Sequence, residues 1–387
     1  MNRLNLFPHG RTRQRLRVLG IMSGTSLDSV DYALCRAEPA SIALEEYWQV
    51  RFPKALQLRL HAAAQGTASS WELAQVHHDL GRFYARHACR GLAGIRPAVV
   101  GLHGQTVFHN PERQAPATLQ VGEPAYLAEV LRVPVVSNFR AGDMAAGGEG
   151  APLATAFHCA VFARRGWHVC VNNLGGIGNV TSIDWSRGRK PQVLAFDTGP
   201  ANVLIDLAMR HFTGGRMSMD RNGAWAARGR PSEEFLNRWL RHGFFRRPPP
   251  KSTGREVFGE PFLRRVLAEM RPAGLSRFDL LATLTEFTAQ SLALNYRLHL
   301  PSAPDRVVLT GGGAANPVLV RAIRTRLQML RPAMEVMTSE ASGWPLQSIE
   351  PAAFAWLAYL RTTGRSGNLP GTTGARRPVL LGQITEP

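Results

Sequence analysis

Three glycine-containing turns in this 387-residue chain have the composition of phosphate-binding loops. They follow short apolar runs and read SGTS at residues 23–26, LGGIGN at residues 174–179 and GGG at residues 311–313. Glycine lets backbone N–H groups approach an anion closely, and a helix that begins after such a turn adds partial positive charge. The sequence contains neither a P-loop pattern nor a dinucleotide-binding fingerprint in its strand–turn–helix setting. Because the turns occur in both halves of the chain, they predict a nucleotide-binding, phosphate-transferring enzyme.

Carboxylates beside these turns could supply acid–base chemistry. Asp28 and Asp31 follow the first turn, and Asp197 opens the sequence DTGPAN. An Asp at a strand end beside a bound phosphate could act as a general base toward a hydroxyl group or water, or hold Mg²⁺ through water. An Asx turn or a helix N-cap fits each position as well. The residue types alone leave these alternatives open.

The elements that carry these residues alternate between strands and helices. Apolar, β-branched runs predict strands at residues 17–22, 30–35, 98–102, 133–136, 168–173, 193–196 and 306–310. Apolar spacings of three and four predict helices at residues 71–94 and 280–298. Strands that end in glycine and alternate with helices are typical of an α/β fold with its sites at the strand ends.

Composition and charge exclude several classes of protein. The chain is 44% hydrophobic and 19% charged, which excludes general disorder, and no apolar run approaches the roughly 18–20 residues of a membrane span. Its length predicts two domains or one large duplicated fold. The formal charge is +18, and all but three of the 46 basic residues are Arg. Arg suits nucleic acid recognition, but these residues are scattered without interleaved aromatics, so we attribute their number to codon bias.

Cysteine usage and the N-terminus bear on the compartment. Four Cys without a CxxC pair predict neither a disulfide framework nor a zinc site, and therefore a cytoplasmic protein with reduced cysteines. Residues 1–16 are basic and lack the apolar core of a secretory signal, so we expect a disordered tail. A mitochondrial presequence would have a similar composition.

Nine segments together resemble the anhydro-N-acetylmuramic acid kinases of bacterial cell-wall recycling. They are GIMSGTSLDSVD (20–31), GLHGQTVFHNP (101–111), FRAGDMAAGGEGAP (139–152), NLGGIGNVTS (173–182), FDTGPAN (196–202), PPKSTGREVF (249–258), TGGGAANPVL (310–319), AAFAWLA (352–358) and TGA (373–375). They follow the family's order over residues 19–381. The resemblance implies a two-lobed actin-like ATPase fold, shared with sugar kinases and heat-shock ATPases, in which two α/β lobes hold ATP and Mg²⁺ in a central cleft.

The resemblance also implies a reaction and a set of domains. The family's enzymes cleave the 1,6-anhydro bond of anhydro-N-acetylmuramic acid with water and phosphorylate O6. We expect an N-terminal lobe at residues 17–165, to which residues 370–387 return, and a C-terminal lobe at residues 166–369. We expect a homodimer that binds neither nucleic acid nor membrane. The alternatives are a kinase of another sugar or carboxylate with the same fold, and a non-catalytic kinase-fold protein with an Arg-rich binding surface.

Functional residues follow from the resemblance position by position. Asp197 would be the catalytic base that activates water at the anomeric carbon, and Glu350 the second acid that helps to position this water. The ATP phosphates would contact Gly24, Thr25, Ser26, Leu27, Asp28, Ser29, Val30 and Asp31. The rest of the nucleotide site would be lined by Gly175, Gly176, Gly311, Gly312 and Gly313. The sugar would contact His103, Asn138, Arg140 and Asp143, and the ligands of Mg²⁺ stay unassigned.

Several of these residues also fit a purely structural role. His103 either lines the cleft or is a structural residue whose imidazole is hydrogen-bonded. Arg140 could hold the carboxylate of muramic acid, yet an ordinary salt bridge between Arg140 and Asp143 fits as well. Lys251 either faces an anion or lies in a solvated loop.

Four residues differ from the family's usual pattern. Ser29 and Ala201 stand where glycine is usual, Asn138 replaces an acid, and Pro351 replaces an alanine. A positive φ at Ser29 would cost about 1 kcal/mol. We expect Ala201 to shift its turn slightly and Asn138 to change sugar affinity. Pro351 suits the first turn of a helix, which would make Glu350 an N-cap-like residue.

Overall fold

The computed structural model describes residues 15–24, 26–112, 114–270 and 272–387. Its strands are β1 (Leu16–Ser23), β2 (Ser29–Glu38), β3 (Ser41–Arg51), β4 (Val99–Asn110), β5 (Ala117–Val121), β6 (Val135–Ser137), β7 (His168–Leu174), β8 (Ile177–Asp184), β9 (Gln192–Pro200), β10 (Arg306–Thr310), β11 (Glu335–Thr338) and β12 (Gln383–Thr385). Its helices are α1 (Lys54–Ala64), α2 (Ser70–Leu92), α3 (Ala125–Leu131), α4 (Phe139–Ala145), α5 (Thr155–Phe162), α6 (Asn202–Thr213), α7 (Glu233–Trp239), α8 (Gly243–Arg246), α9 (Glu260–Met270), α10 (Arg277–His299), α11 (Pro317–Leu330), α12 (Ile349–Thr362) and α13 (Pro370–Thr373).

The chain divides into two compact units. The first unit contains the chain up to Val161 together with Gln347–Pro387, and the second is Phe162–Leu346. The sequence placed the return of the chain at residue 370, but it occurs at Gln347, because α12 already packs on β1, β2 and β4 of the first unit. Residues 1–14 of the expected tail lie outside the described residues, and Leu16 already belongs to β1.

The seven-stranded sheet of the first unit contains the same arrangement of five strands as the five-stranded sheet of the second unit. In the first unit the order is β12-β6-β4-β1-β2-β3, with β5 paired to β4, and in the second it is β11-β10-β7-β8-β9. In each sheet three consecutive strands are antiparallel, and the first of them pairs in parallel with a strand reached through helices. The predicted α/β class is confirmed, and the same arrangement of five strands occurs in both units.

The sheet of the first unit is covered by α2 and α12. Helix α2 begins at Ser69 with a capping box and buries an apolar face, as its spacing predicts. On the other face α12 approaches two glycines closely. A Cβ atom on Gly20 would lie 1.9 Å from the carbonyl oxygen of Pro351, and one on Gly101 would lie 2.2 Å from that of Phe354. The glycines of GIM and GLH therefore let α12 lie directly on β1 and β4.

Two strands extend further than the sequence predicts. Strand β4 continues through HGQTVFHN because it pairs with β5, and β9 continues through DTGP because it pairs with β8. His103 and Asp197 therefore lie inside strands and not in the turns that follow them.

Cys35, Cys159 and Cys170 are buried and Cys89 is exposed, and all four are unpaired. Within the described part of the chain, no helix combines the length and the apolar character that a membrane crossing requires.

Candidate active site

The loop after β1 is a tight turn in which Leu27, not Ser29, has a left-handed backbone. Leu27 has a φ of 58°, and its N–H donates to the carbonyl of Gly24 at 3.3 Å. Ser29 begins the extended strand β2, so the expected cost of a serine at positive φ does not arise. A Cβ atom on Gly24 would meet nothing closer than Ser26 Oγ at 3.9 Å, which leaves this backbone open to a ligand. Thr25 lies outside the described residues.

The open part of this loop ends at Asp28. Asp28 is exposed, and its Oδ1 accepts a hydrogen bond from Ser26 Oγ at 2.5 Å. Val30 is fully buried in the core. Asp31 lies in β2, where its Oδ1 accepts from the Tyr47 hydroxyl at 2.6 Å, and burial raises the pKa of its carboxyl. Asp28, and not Asp31, is therefore the carboxylate at the surface of the loop.

Gln105, which the sequence analysis did not single out, supports the same loop from β4. Its Nε2 donates to the carbonyl of Gly24 at 3.1 Å. The side chain is fully buried, and its Oε1 has no hydrogen-bond partner among the described residues. Gln105 belongs to the HGQT motif, which made it a possible candidate. The sequence does not show, however, that this polar side chain lies inside a strand and points to the loop after β1.

His103 and Arg140 form a hydrogen-bonded pair. His103 Nε2 accepts from Arg140 Nη2 at 3.0 Å, and its Nδ1 donates to the carbonyl of Gly104 at 2.8 Å. Burial and the adjacent guanidinium group hold the pKa of His103 well below its usual value, so the imidazole is neutral. The ring of Phe354 packs on it with 4.4 Å between centroids. This is the geometry of a histidine that orients Arg140.

Arg140 and Asp143 both lie in the part of the chain that the structure describes. They do not form the salt bridge that the sequence allowed. Arg140 Nη1 donates to the carbonyl of Gly150 at 2.8 Å. Asp143 is fully buried, and its carboxylate accepts from Gly150 N at 2.8 Å, Asn368 Nδ2 at 2.7 Å and Thr373 Oγ1 at 2.7 Å. Asp143 therefore holds the glycine turn whose Gly150 carbonyl accepts from Arg140, and contact of Asp143 with a sugar would require this network to open.

Glu350 lies in the first turn of α12 with its side chain exposed. The N-cap is Ser348, so the expectation of an N-cap-like Glu350 is wrong, while Pro351 does lie in the first turn. Burial lowers the pKa of Arg140 to about 10, and the negative charge of Glu350 acts in the opposite direction. Glu350, Arg140 and His103 are thus brought together in the first unit.

Asn138 precedes α4 in a left-handed conformation with a φ of 54°. Asn tolerates this conformation better than most residues because its short side chain can hydrogen-bond locally. Its Nδ2 donates to Gln383 Oε1 of β12 at 3.3 Å. The residue lies two positions before Arg140, on the same turn.

Asp197 lies in β9 of the second unit beside an irregularity of the sheet. The pairing of β8 with β9 shifts register between Gly178 and Asn179, and Asn179 faces Asp197. Such bulges redirect side chains. The N–H of Asp197 donates to the carbonyl of Lys251 at 3.1 Å, and its Oδ2 accepts from the N–H of Thr253 at 2.9 Å. The carboxylate is therefore oriented by backbone groups.

Helix α10 holds the turn that follows Asp197. Asn295 Nδ2 donates to the carbonyl of Thr198 at 2.9 Å, and Thr288 Oγ1 donates to that of Ala201 at 3.1 Å. Ala201 has a φ of −112°, outside the left-handed region that favours glycine. The apolar periodicity of α10 is visible in the sequence, but the partners of its polar residues are not.

Asn202 connects two of the predicted glycine turns. Its Nδ2 donates to the carbonyls of Leu174 at 2.8 Å and Gly175 at 2.9 Å. Its Oδ1 lies 2.9 Å from where a Cβ atom on Gly313 would stand. A Cβ atom on Gly176 would meet nothing closer than 3.8 Å, so the hairpin turn is open.

The three consecutive glycines differ in the space around them. Gly311 has a φ of 78°, and a Cβ atom there would lie 2.2 Å from Asn173 Oδ1. A Cβ atom on Gly312 would meet nothing within 4 Å. Helix α11 follows, with Asn316 accepting from the N–H of Val318 at 3.0 Å. Gly311 is required by the fold, whereas Gly312 presents open backbone beside a helix N-terminus.

Comparisons with known proteins agree with the motifs. The family model described as anhydro-N-acetylmuramic acid kinase matches residues 16–387. The anhydro-N-acetylmuramic acid kinase of Acaryochloris marina is 40% identical over 380 residues, covering 95% of this chain and 99% of the relative. That of Synechococcus elongatus is 40% identical over 385 residues, with the same coverage. A solved activator of 2-hydroxyisocaproyl-CoA dehydratase from Clostridium difficile is similar at 11% identity and a TM-score of 0.44, covering 89% of this chain and 94% of that one. The chain belongs to the anhydro-N-acetylmuramic acid kinase family.

Proposed function

We propose that this protein is an ATP-dependent kinase that opens 1,6-anhydro-N-acetylmuramic acid with water and phosphorylates its O6. The products are N-acetylmuramic acid 6-phosphate and ADP, and the reaction serves cell-wall recycling in the cytoplasm. The observation that carries the proposal is the family match over residues 16–387. A homodimer remains a prediction from the same family.

Asp197 is the proposed base. Water attacks the anomeric carbon and gives its proton to the Asp197 carboxylate, whose orientation is fixed by the N–H of Thr253. The bond between the anomeric carbon and the bridging oxygen breaks, and O6 keeps the electron pair. O6 then attacks the γ-phosphorus, and the electron pair of the broken P–O bond leaves with ADP. Positioning supplies much of the rate in such a transfer.

The first unit supplies the proposed sugar contacts. Arg140 presents a guanidinium group that suits the carboxylate of muramic acid, and neutral His103 keeps it oriented. Asn138 can hydrogen-bond a sugar hydroxyl group with its amide. Exposed Glu350 is the proposed second acid, which orients the attacking water.

Open backbone supports the proposed nucleotide contacts. In the first unit the turn from Gly24 to Asp28 is proposed to bind phosphate oxygens. In the second unit the glycines at 175–176 and 311–313 are proposed to line the remaining nucleotide site, with Gly312 open beside α11.

The carboxylates near the proposed phosphate site suit a Mg²⁺ ion whose ligands would come mainly from ATP. Among the described residues, no group of three or more His, Cys, Asp and Glu side chains is placed to hold a metal. Mg²⁺ usually needs one or two carboxylates in addition to phosphate oxygens and water. Exposed Asp28 is the proposed carboxylate. When bound, the ion would neutralise charge on the β- and γ-phosphate oxygens.

A substrate panel tests this function. ADP release is measured with 1,6-anhydro-N-acetylmuramic acid, with N-acetylmuramic acid and with 1,6-anhydro-N-acetylglucosamine, which lacks the carboxylate. We expect turnover on the first compound and little on the other two. Equal turnover on N-acetylmuramic acid would contradict the ring-opening step and favour an ordinary sugar kinase.

A further inference from the structure

Lys251 is a buried lysine beside the proposed base. It is 5% exposed, so the solvated loop that its sequence allowed is wrong, whereas the chain's other two lysines are exposed. Its Nζ donates to the carbonyls of Phe244 and Phe245 in α8, each at 3.3 Å, and lies 3.1 Å from His299 Nε2 of α10. The ammonium group is thus held by backbone oxygens and not by a solvated anion.

The backbone of Lys251 contacts Asp197 directly. The carbonyl of Lys251 accepts from the N–H of Asp197 at 3.1 Å, and two residues later the N–H of Thr253 donates to Asp197 Oδ2 at 2.9 Å. The segment 251–253 therefore orients the carboxylate, and the Lys251 side chain ties this segment to α8. A displacement of Lys251 would move the amide that fixes Asp197.

Hydrogen bonds and an aromatic ring compensate the buried charge of Lys251. A buried ammonium group is costly unless opposite charge or several hydrogen bonds compensate it. The aromatic ring of Phe244 lies 4.6 Å from Nζ, a distance at which a ring face attracts a cation. Among the groups that act on Lys251, Asp197 of β9 is the anion and Arg247 is a competing cation. The two carbonyls of α8 and the Phe244 ring therefore stabilise the buried ammonium group where it ties the 251–253 segment to α8.

We propose that Lys251 is a positioning residue for Asp197, whose ammonium group fixes the 251–253 segment that orients the carboxylate. This inference rests on the proposed role of Asp197 in the reaction. It assigns to Lys251 no contact with sugar or ATP.

The proposal predicts a pH dependence. Burial, together with the smaller effect of the Arg247 charge, lowers the pKa of Lys251 to about 8, although Asp197 acts in the opposite direction. His299 beside it is held below its own usual pKa, mainly by burial. The ammonium charge is therefore present below pH 8 and lost above it, so kcat should fall as the pH rises through about 8.

The test compares Lys251→Met with Lys190→Met. Both changes remove one ammonium group from the second unit, but Lys190 is exposed between β8 and β9 and has no proposed role. We expect Lys251→Met to lower kcat on the order of tenfold to hundredfold, as misplaced catalytic groups do, with the KM for ATP nearly unchanged. The fall of kcat near pH 8 should also disappear, while Lys190→Met should match the wild type in both respects.

A merely structural lysine would give a different result. The proposal is overturned if folded Lys251→Met keeps the wild-type kcat and still shows the fall of kcat near pH 8. It is also overturned if the kcat of the wild type does not fall near pH 8. If Lys251→Met does not fold, Lys251→Arg tests the same point, because a permanent cation should remove the limb. Absence of turnover by the wild type itself would instead contradict the proposed function.

Discussion

Asp197 and Asp143 show how differently two carboxylates can be used in one chain. Asp143 is fully enclosed by three neutral donors, and each of its bonds holds the backbone or a side chain of the first unit. Asp197 is partly exposed, and the N–H of Thr253 orients its Oδ2. Enclosure suits a structural role, whereas oriented and partly exposed oxygen suits proton transfer.

Asp197→Asn is the residue-scale prediction. The amide keeps the size and the acceptor for Thr253 but cannot take a proton, so kcat should fall by about a hundredfold to ten-thousandfold. ATP affinity should stay nearly unchanged, because the turns proposed to bind phosphate do not depend on this carboxylate. Calorimetric ATP titration and steady-state kinetics check the two parts. Full activity of the variant would remove Asp197 as the base.

At this scale the sequence predicts residue types better than their partners. Asp197, Arg140 and His103 lie in motifs, and each is visible as a candidate. The bonds that define their roles join residues far apart in the chain, as from Asp143 to Thr373 and from Gln105 to Gly24. Such pairings depend on the folded topology, which a single sequence does not display.

At the scale of elements, the glycine turns have two separate functions. Gly20 and Gly101 allow α12 to approach β1 and β4, and this contact places Glu350 and Phe354 beside the His103–Arg140 pair. Gly312, in contrast, has open space around it. A glycine in a motif is therefore required either by packing or by a ligand, and the space around it separates the two cases.

Two neighbouring glycine substitutions form a matched pair. Gly311→Ala should destabilise the protein by at least about 1 kcal/mol, because it adds a methyl group at positive φ against Asn173. Gly312→Ala should leave the melting temperature unchanged but raise the KM for ATP several-fold, because the methyl group enters the proposed phosphate space. Thermal unfolding and ATP kinetics measure both. Equal effects of the two changes on stability would contradict this distinction.

Element boundaries were predictable where apolar runs define them. Strands β1, β7 and β10 and helices α2 and α10 lie within a few residues of their predicted positions. The predictions for β4 and β9 are too short, because polar residues and glycine interrupt their apolar runs, and the residues beyond owe their strand conformation to β5 and β8. Where pairing with a neighbour extends a strand beyond its apolar run, the sequence alone does not predict where the strand ends.

At the scale of the whole molecule, the repeated strand order explains why similar turns occur in both halves of the chain. In each unit the first strand leads into a glycine turn, after Ser23 in β1 and after Leu174 in β7. The sequence predicts this repetition from its strand–glycine pattern. The large excess of positive charge, +18, is by contrast not concentrated in the motifs.

The net charge predicts a salt effect on substrate capture. A positive field speeds the approach of anionic ATP and of a carboxylated sugar, and dissolved salt screens it. Raising the ionic strength from about 0.01 M to 0.15 M should lower kcat/KM several-fold and change kcat little. Sucrose at matched osmolality is the control. Salt-dependent retention of DNA without turnover would favour the alternative of an Arg-rich binding protein.

The most direct test of ring opening by water follows oxygen from water into the product. The reaction is run briefly in ¹⁸O-water with ATP and 1,6-anhydro-N-acetylmuramic acid, and the product is analysed by mass spectrometry. Unlabelled product incubated in the same water corrects for exchange at the anomeric carbon. We predict one ¹⁸O atom at the anomeric carbon beyond that exchange, and none in the phosphate group. A 6-phosphorylated product without label at the anomeric carbon would contradict ring opening by water.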